Sequence, residues 1–286
     1  MKKILYALLC FLCVGCSTKE AENGRKILVS IPPYATIVKA LVENGASVEI
    51  VVPPGTNPHI YEPTPDQIKS FTKAKVWFRI GDPVEEKMVQ FLKSYPVQIV
   101  DLSKNRADLT GSAHHHGGHS HGETDLHLWL DPLIMADQAE EMATVLTELF
   151  PEMGDTLNEN RKKLVKLLRD ADEKIETQLS PLKGQSLLVS HPALGYFCKR
   201  YELRQLCVEI EGKDPLPKDI AKLMHLLIKH PVPVVFTEPQ YNNKGAVLIA
   251  EKLNLPIEEI DPYNENYFEF LKTLSQQIDN HYGHLD

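Results

Sequence analysis

VPVVFTEPQYNNKGAVLIAEKLNLPIEEIDP, residues 232–262, decides the fold class. VPVVFTE (232–238) and PIEEI (256–260) read as strands, and the stretch 243–254 between them reads as a helix. Strand, helix, strand in that order is a βαβ unit, whose two strands lie parallel in one sheet. The second strand runs into Asp261-Pro262, so a carboxylate stands at the carboxyl end of a strand. In open α/β sheets ligands bind at that edge.

The same rhythm extends outward in both directions. Towards the N-terminus, SLLVS (186–190) and LCVEI (206–210) read as strands, with a short helix between them and a further helix at 217–229. Ile220, Leu223, Met224 and Leu227 give that helix an apolar stripe. Earlier still, ILVSI (27–31), VEIVV (48–52), KVWFRI (75–80) and VQIVDL (97–102) alternate with helical segments at 34–44, from 65 onward and at 84–93. Thr64-Pro65-Asp66-Gln67 is a helix start: Thr as cap, Pro in the first turn and Gln three residues after the cap. A final helix follows Asp261.

Between the two alternating halves lie a helix at roughly 132–149, Pro151 and a longer helix at roughly 155–179. Leu157, Leu164, Leu168, Ala171 and Ile175 form the longer helix's apolar stripe, and neither Pro nor Gly interrupts it. At 1.5 Å per residue it runs nearly 40 Å, which spans a protein of this size. The expected architecture is α/β, with two lobes of mostly parallel sheet joined by one long helix that resists hinge bending. Expected boundaries are a lobe over 26–150, the linking helix over 151–183 and a second lobe over 184–286. The halves share a rhythm but no evident sequence repeat.

The first residues, MKKILYALLCFLCVGC, place two lysines before an apolar run that is too short to span a bilayer. This is the layout of a secretory signal over 1–15, with 16–25 as a polar tether. Gly15-Cys16 followed by Ser-Thr-Lys-Glu resembles a bacterial lipoprotein signal, which implies a lipid on Cys16; Cys13 departs from that pattern by standing where Leu is usual. The net charge is −8, and removing residues 1–15, which carry Lys2, Lys3 and no acid, takes it to −10. That balance disfavours nucleic acid as a partner. Cys198 and Cys207 are left as an even pair in an exported chain: a disulfide, or two small buried apolar residues.

Four side chains at distant points stand beside apolar runs: His59 in SVEIVVPPGTNPH, His127 in DLHLWLDP, His191 in SLLVSHPALGYF and Asp261 in LPIEEIDP. Singly, each has an ordinary explanation: a surface loop, a backbone-bonded core histidine, a strand end, a helix cap. Jointly, two fall in each lobe, as a cleft between lobes requires. Three imidazoles and a carboxylate make a closed N/O site that suits zinc. HHHGGHSH, with His114, His115, His116, His119 and His121, lies in a loop expected over 103–124 and is a second metal-affine feature. It reads either as an auxiliary capture segment or as a solvated low-complexity loop. Glu211 and Glu238, near predicted strand ends, are candidates to orient ligand imidazoles, or are surface charges. His225, His230, His281 and His284 read as surface residues.

TNPHIYEPTP, HLWLDP, VSHPALGYF, EIEGKDP, FTEPQY and EIDP occur in the order and near the spacing found in metal-binding lipoproteins of zinc and manganese ABC importers. Over nearly all of the mature chain the sequence resembles the ZnuA-like, or TroA-like, solute-binding proteins. The resemblance implies two (β/α) lobes joined by a backbone helix, a metal between them, and ligands at His59, His127, His191 and Asp261. It implies a monomer tethered to a membrane outside the cytoplasm, working with a permease and its cytoplasmic ATPase. Manganese members typically carry Glu at the third position; His191 there favours zinc, with manganese as the alternative.

Two other classes remain at this point. A zinc hydrolase keeps a coordination position for water beside a general base, and no HExxH or comparable base motif is present. A storage protein or adhesin would carry many weak sites in place of one tight one.

Overall fold

The computed structural model describes residues 24–106, 124–209 and 216–283. Eight strands form two four-stranded sheets, and every strand pair is parallel. The first sheet holds β1 (Lys26–Val29), β2 (Ser47–Ile50), β3 (Val76–Arg79) and β4 (Gln98–Asp101) in the order β2-β1-β3-β4. The second holds β5 (Ser186–Val189), β6 (Arg204–Cys207), β7 (Val235–Thr237) and β8 (Ile257–Glu259) in the order β6-β5-β7-β8. The two lobes thus repeat one topology. In each, the strand order reverses beside the first strand, which opens a crevice at the carboxyl ends.

Both β1 and β5 are apolar along nearly their whole length because helices cover both faces of the sheets. Nine helices lie among the described residues: α1 (Pro32–Val42), α2 (Pro65–Phe71), α3 (Glu86–Leu92), α4 (Pro132–Leu149), α5 (Gly154–Leu179), α6 (Gly195–Arg200), α7 (Pro217–Lys229), α8 (Lys244–Leu253) and α9 (Tyr267–Tyr282). The start of α2 is the expected capping box: the Gln67 amide N–H donates to Thr64 Oγ1, and the Thr64 N–H donates to Gln67 Oε1 at 2.8 Å. Asp131 caps α4 by accepting the Leu133 N–H at 2.8 Å and the Ile134 N–H at 3.3 Å. No helix among the described residues is long and apolar enough to cross a membrane.

The linking helix α5 is continuous from Gly154 to Leu179 and packs on α1 and α4 from the first lobe and α9 from the second. Polar ties pin its two halves to different lobes. Near its start, Asn160 Nδ2 donates to the Leu41 carbonyl at 3.1 Å. Further along, the buried Asp172 accepts from Arg200 Nε at 2.8 Å and Nη2 at 2.6 Å, and from the Tyr201 hydroxyl at 3.2 Å. One apolar core runs through both lobes, from Ile27 and Tyr34 through Leu164 and Leu168 to Leu274 and Tyr282. Trp129 adds a direct link, donating from Nε1 to the Pro262 carbonyl at 2.9 Å, while the Tyr267 hydroxyl donates to the Trp129 carbonyl at 2.6 Å.

Of the two readings of the cysteine pair, the disulfide is the one that fails. Cys198 and Cys207 are free thiols and form no disulfide. Cys198 is buried on α6, and the Cys207 thiol donates to the Ser190 carbonyl instead. Cys198 behaves as a small buried apolar residue and Cys207 is half-buried; burial of the sulfur pushes both thiols well up from their ordinary pKa.

Candidate metal centre

Three of the four side chains singled out in the sequence meet in the crevice between the lobes. His59, His127 and His191 each offer a ring nitrogen, and these three atoms lie within 4.8 Å of one another. No other group of His, Cys, Asp or Glu among the described residues comes together in this way. Ring centroids are 5.8 Å apart for His59–His127, 5.5 Å for His59–His191 and 5.3 Å for His127–His191. Tetrahedral zinc, with Zn–N bonds of about 2.1 Å, needs nitrogens about 3.4 Å apart. A small inward shift of side chains therefore closes the site.

Each histidine is held by its own local structure. His59 sits in the single tight turn Pro58–Ile60, where its N–H donates to the capping Asn57 Oδ1 at 2.9 Å. His127 comes just before the turn Leu128–Leu130, so its apolar run follows it and packs in the core. His191 lies two residues past β5, where the Ser190 N–H still bonds to the Phe236 carbonyl of β7. His127 and His191 are buried, while the side chain of His59 stays one-third exposed at the rim.

Every Nδ1 in the group faces a carboxylate. His59 Nδ1 is 2.5 Å from Asp82 Oδ2, His127 Nδ1 is 2.8 Å from Asp125 Oδ1, and His191 Nδ1 is 2.8 Å from Glu209 Oε2. A carboxylate accepts, so the proton of each neutral ring resides on Nδ1, and Nε2 presents a lone pair to the crevice. This carboxylate–histidine pairing is how metal-ligating imidazoles are commonly oriented. Burial pushes the Asp82 carboxyl up, but the bond to His59 and the Val84 amide more than offset it, and its pKa falls below the ordinary value. Burial, then the neighbouring His127 and His59, hold His191 well below the usual imidazole range. It is thus neutral and ready to coordinate.

Gly81 aims Asp82. Its φ is +89°, and an added Cβ would meet Ser103 Oγ at 2.2 Å and Asp101 Oδ1 at 2.9 Å, so only glycine suits this turn. Behind it, buried Glu85 accepts the Gly81 N–H at 2.9 Å and the Asp82 N–H at 3.1 Å. Its carboxyl is pushed up to about 7, chiefly by burial.

Other expectations for the site fare differently. Asp261 is not in the group. Its Oδ1 is engaged by Gln240 Nε2 at 2.6 Å and by the Tyr263 N–H at 3.1 Å. Glu238 bonds to no imidazole: it is fully buried and both carboxylate oxygens lack a hydrogen-bond partner. Burial, then Glu209, Asp261 and Asp125, push its carboxyl well up, which favours the neutral acid. Cys16, Glu211, the HHHGGHSH loop with His114, His115, His116, His119 and His121, and His284 lie outside the described residues. His230 meets Arg204, and His281 meets Glu258 at 3.0 Å; neither joins the centre.

Sequence reasoning missed Asp82, Asp125 and Glu209, and two tyrosines. Tyr241 stacks on His191 with centroids 3.7 Å apart and planes 9° from parallel. The Tyr263 hydroxyl lies 3.1 Å from His127 Nε2 and 3.2 Å from the Tyr241 hydroxyl. Asp125 had a signal, since it stands two residues before His127; Glu209 shares the EIEGKDP motif with Glu211.

Comparison with known proteins agrees with the fold. Over 280 residues the chain is 28% identical to a putative metal-binding protein of Chlamydia trachomatis, covering 97% of this chain and 99% of that one. It is 25% identical over 283 residues to the high-affinity zinc uptake system protein ZnuA of Yersinia pestis, covering 88% and 89%. A crystal structure of ZnuA superposes with a TM-score of 0.82 at 27% identity, over 90% of this chain and 99% of that one. The family model described as zinc-uptake complex component A, periplasmic, matches residues 27–281, and the chain belongs to that family.

Proposed function

We propose that this chain captures a zinc ion outside the cytoplasm and delivers it to the permease of an ABC importer, which works with a cytoplasmic ATPase. The observation that carries the reading is the trio of imidazoles, each offering a ring nitrogen within 4.8 Å of the others and each backed by a carboxylate on Nδ1. Neutral imidazoles suit a borderline ion such as zinc better than the harder manganese, which prefers oxygen. His59, His127 and His191 are the ligands of this reading. The fourth position falls to water, or to Asp261 once its side chain leaves Gln240. His59, at the rim, is the first imidazole an arriving ion meets. Glu211 is retained as a candidate acceptor for a ligand imidazole. A lipid on Cys16 tethers the protein, and His114, His115, His116, His119 and His121 supply weaker, auxiliary binding.

A fourth position left to water also fits a zinc hydrolase. An ester-hydrolysis assay separates the two: a carrier turns over no faster than free zinc.

The test is metal content and competition. Protein purified without added metal, with and without residues 114–121, is expected to hold one tightly bound zinc that an excess of manganese does not displace. Displacement by equimolar manganese, or loss of the tight ion on loop deletion, would overturn the reading.

A further inference from the structure

The three metal-facing nitrogens are not equivalent. His191 Nε2 is buried with no hydrogen-bond partner. His127 Nε2, in contrast, lies 3.1 Å from the Tyr263 hydroxyl. Since Asp125 Oδ1 takes the Nδ1 proton, His127 Nε2 is an acceptor and the tyrosine hydroxyl is the donor. The Tyr263 oxygen accepts in turn from the Tyr241 hydroxyl at 3.2 Å. Tyr263 is placed by its surroundings in the metal-free protein. It is buried, its ring centroid is 5.2 Å from that of Trp129, and its N–H is tied to Asp261 Oδ1.

The lone pair on His127 Nε2 is the one a metal ion needs, and it cannot serve a proton donor and a metal at once. We infer that the Tyr263 hydroxyl is a placeholder for the metal on His127, holding the imidazole in the metal-free protein and giving it up on coordination. This inference rests on the zinc-site reading above. Tyr263 belongs to the second lobe and His127 to the first, so the exchange replaces a bond between lobes with a shared ion. Tyr263 acts through His127 as a positioning residue: it keeps that ring aimed while the site is empty, and lowers affinity by the free energy of one hydrogen bond.

The test compares the wild-type mature chain with Tyr263→Phe and Tyr241→Phe by zinc competition against a chromophoric chelator. Tyr263→Phe removes a bond that only the metal-free state makes. A net hydrogen bond of about 0.5–1.5 kcal/mol corresponds to binding about two- to tenfold tighter. Tyr241→Phe keeps the Tyr263 donor and is expected to change affinity less. A merely structural tyrosine would give the opposite sign, since loosening the site weakens binding. In the wild type, loading with zinc is expected to perturb the near-ultraviolet absorption of tyrosine, and Tyr263→Phe to abolish most of that change. Unchanged or weaker zinc binding in Tyr263→Phe overturns the inference, as does a wild-type tyrosine spectrum that zinc leaves unmoved, a measurement that needs no variant. Failure of the wild-type chain to bind zinc sinks the site reading itself, whatever Tyr263 does.

Discussion

Replacing His191 with alanine is expected to weaken zinc binding by about 100- to 1,000-fold. Zinc sites with four protein ligands bind with roughly 10–16 kcal/mol, so each ligand carries about 2.5–4 kcal/mol, and each 1.36 kcal/mol is tenfold. His191 belongs at the upper end of that range. It is buried, burial and its neighbouring imidazoles hold it neutral, and its Nε2 has no partner within the protein. An acceptor buried in that condition costs free energy, and a bound ion relieves the cost. Chelator competition reads the affinity, and the melting temperature of the metal-free variant controls for folding. A folded His191→Ala variant within tenfold of wild type would remove His191 from the ligand set.

The next largest effect falls on the carboxylates that hold the rings. Asp125→Ala and Glu209→Ala are each expected to cost about 10- to 100-fold in zinc affinity, without removing a ligand atom. Each carboxylate fixes the proton on Nδ1, sets the ring's direction and makes Nε2 a better donor to the metal. Asp125 accepts twice from His127, from the backbone N–H at 2.9 Å and from Nδ1 at 2.8 Å, so its loss frees both backbone and ring. Asp261→Ala is the comparison: with its Oδ1 committed to Gln240 and Tyr263, it should cost less than either. If Asp261→Ala costs more than Asp125→Ala, Asp261 is the fourth ligand and its rest position changes on binding. The assay is the same chelator competition.

What the sequence could show was set by short-range physics. Alternation of apolar runs with helical segments identified both parallel sheets, and the Thr64–Gln67 box was readable because its bonds lie within one turn. The strands read from sequence overrun the paired residues by one to three, and at β2 the reason is visible. The N–H groups of Val51 and Val52 still bond to the Val29 and Ser30 carbonyls, so the backbone pairing outlasts the regular ladder. The three histidines were legible because each stands beside an apolar run that fixes its place at the crevice. Asp261 was correctly set near a strand end, but which way its side chain turns depends on Gln240, 21 residues away. The pairing of His59 with Asp82 spans 23 residues, and that of His127 with Tyr263 spans 136. The first exists only once its own lobe has folded and the second only once the lobes have met, and no local pattern announces either.

Three imidazoles holding one zinc between the lobes leave a distinct signature in X-ray absorption at the zinc edge, measured on the mature chain loaded with one equivalent of zinc, with and without residues 114–121. Both are expected to give the same spectrum: three imidazole nitrogens at about 2.0–2.1 Å and one oxygen. A shell dominated by oxygen, or an imidazole signal that disappears with the loop, would contradict it.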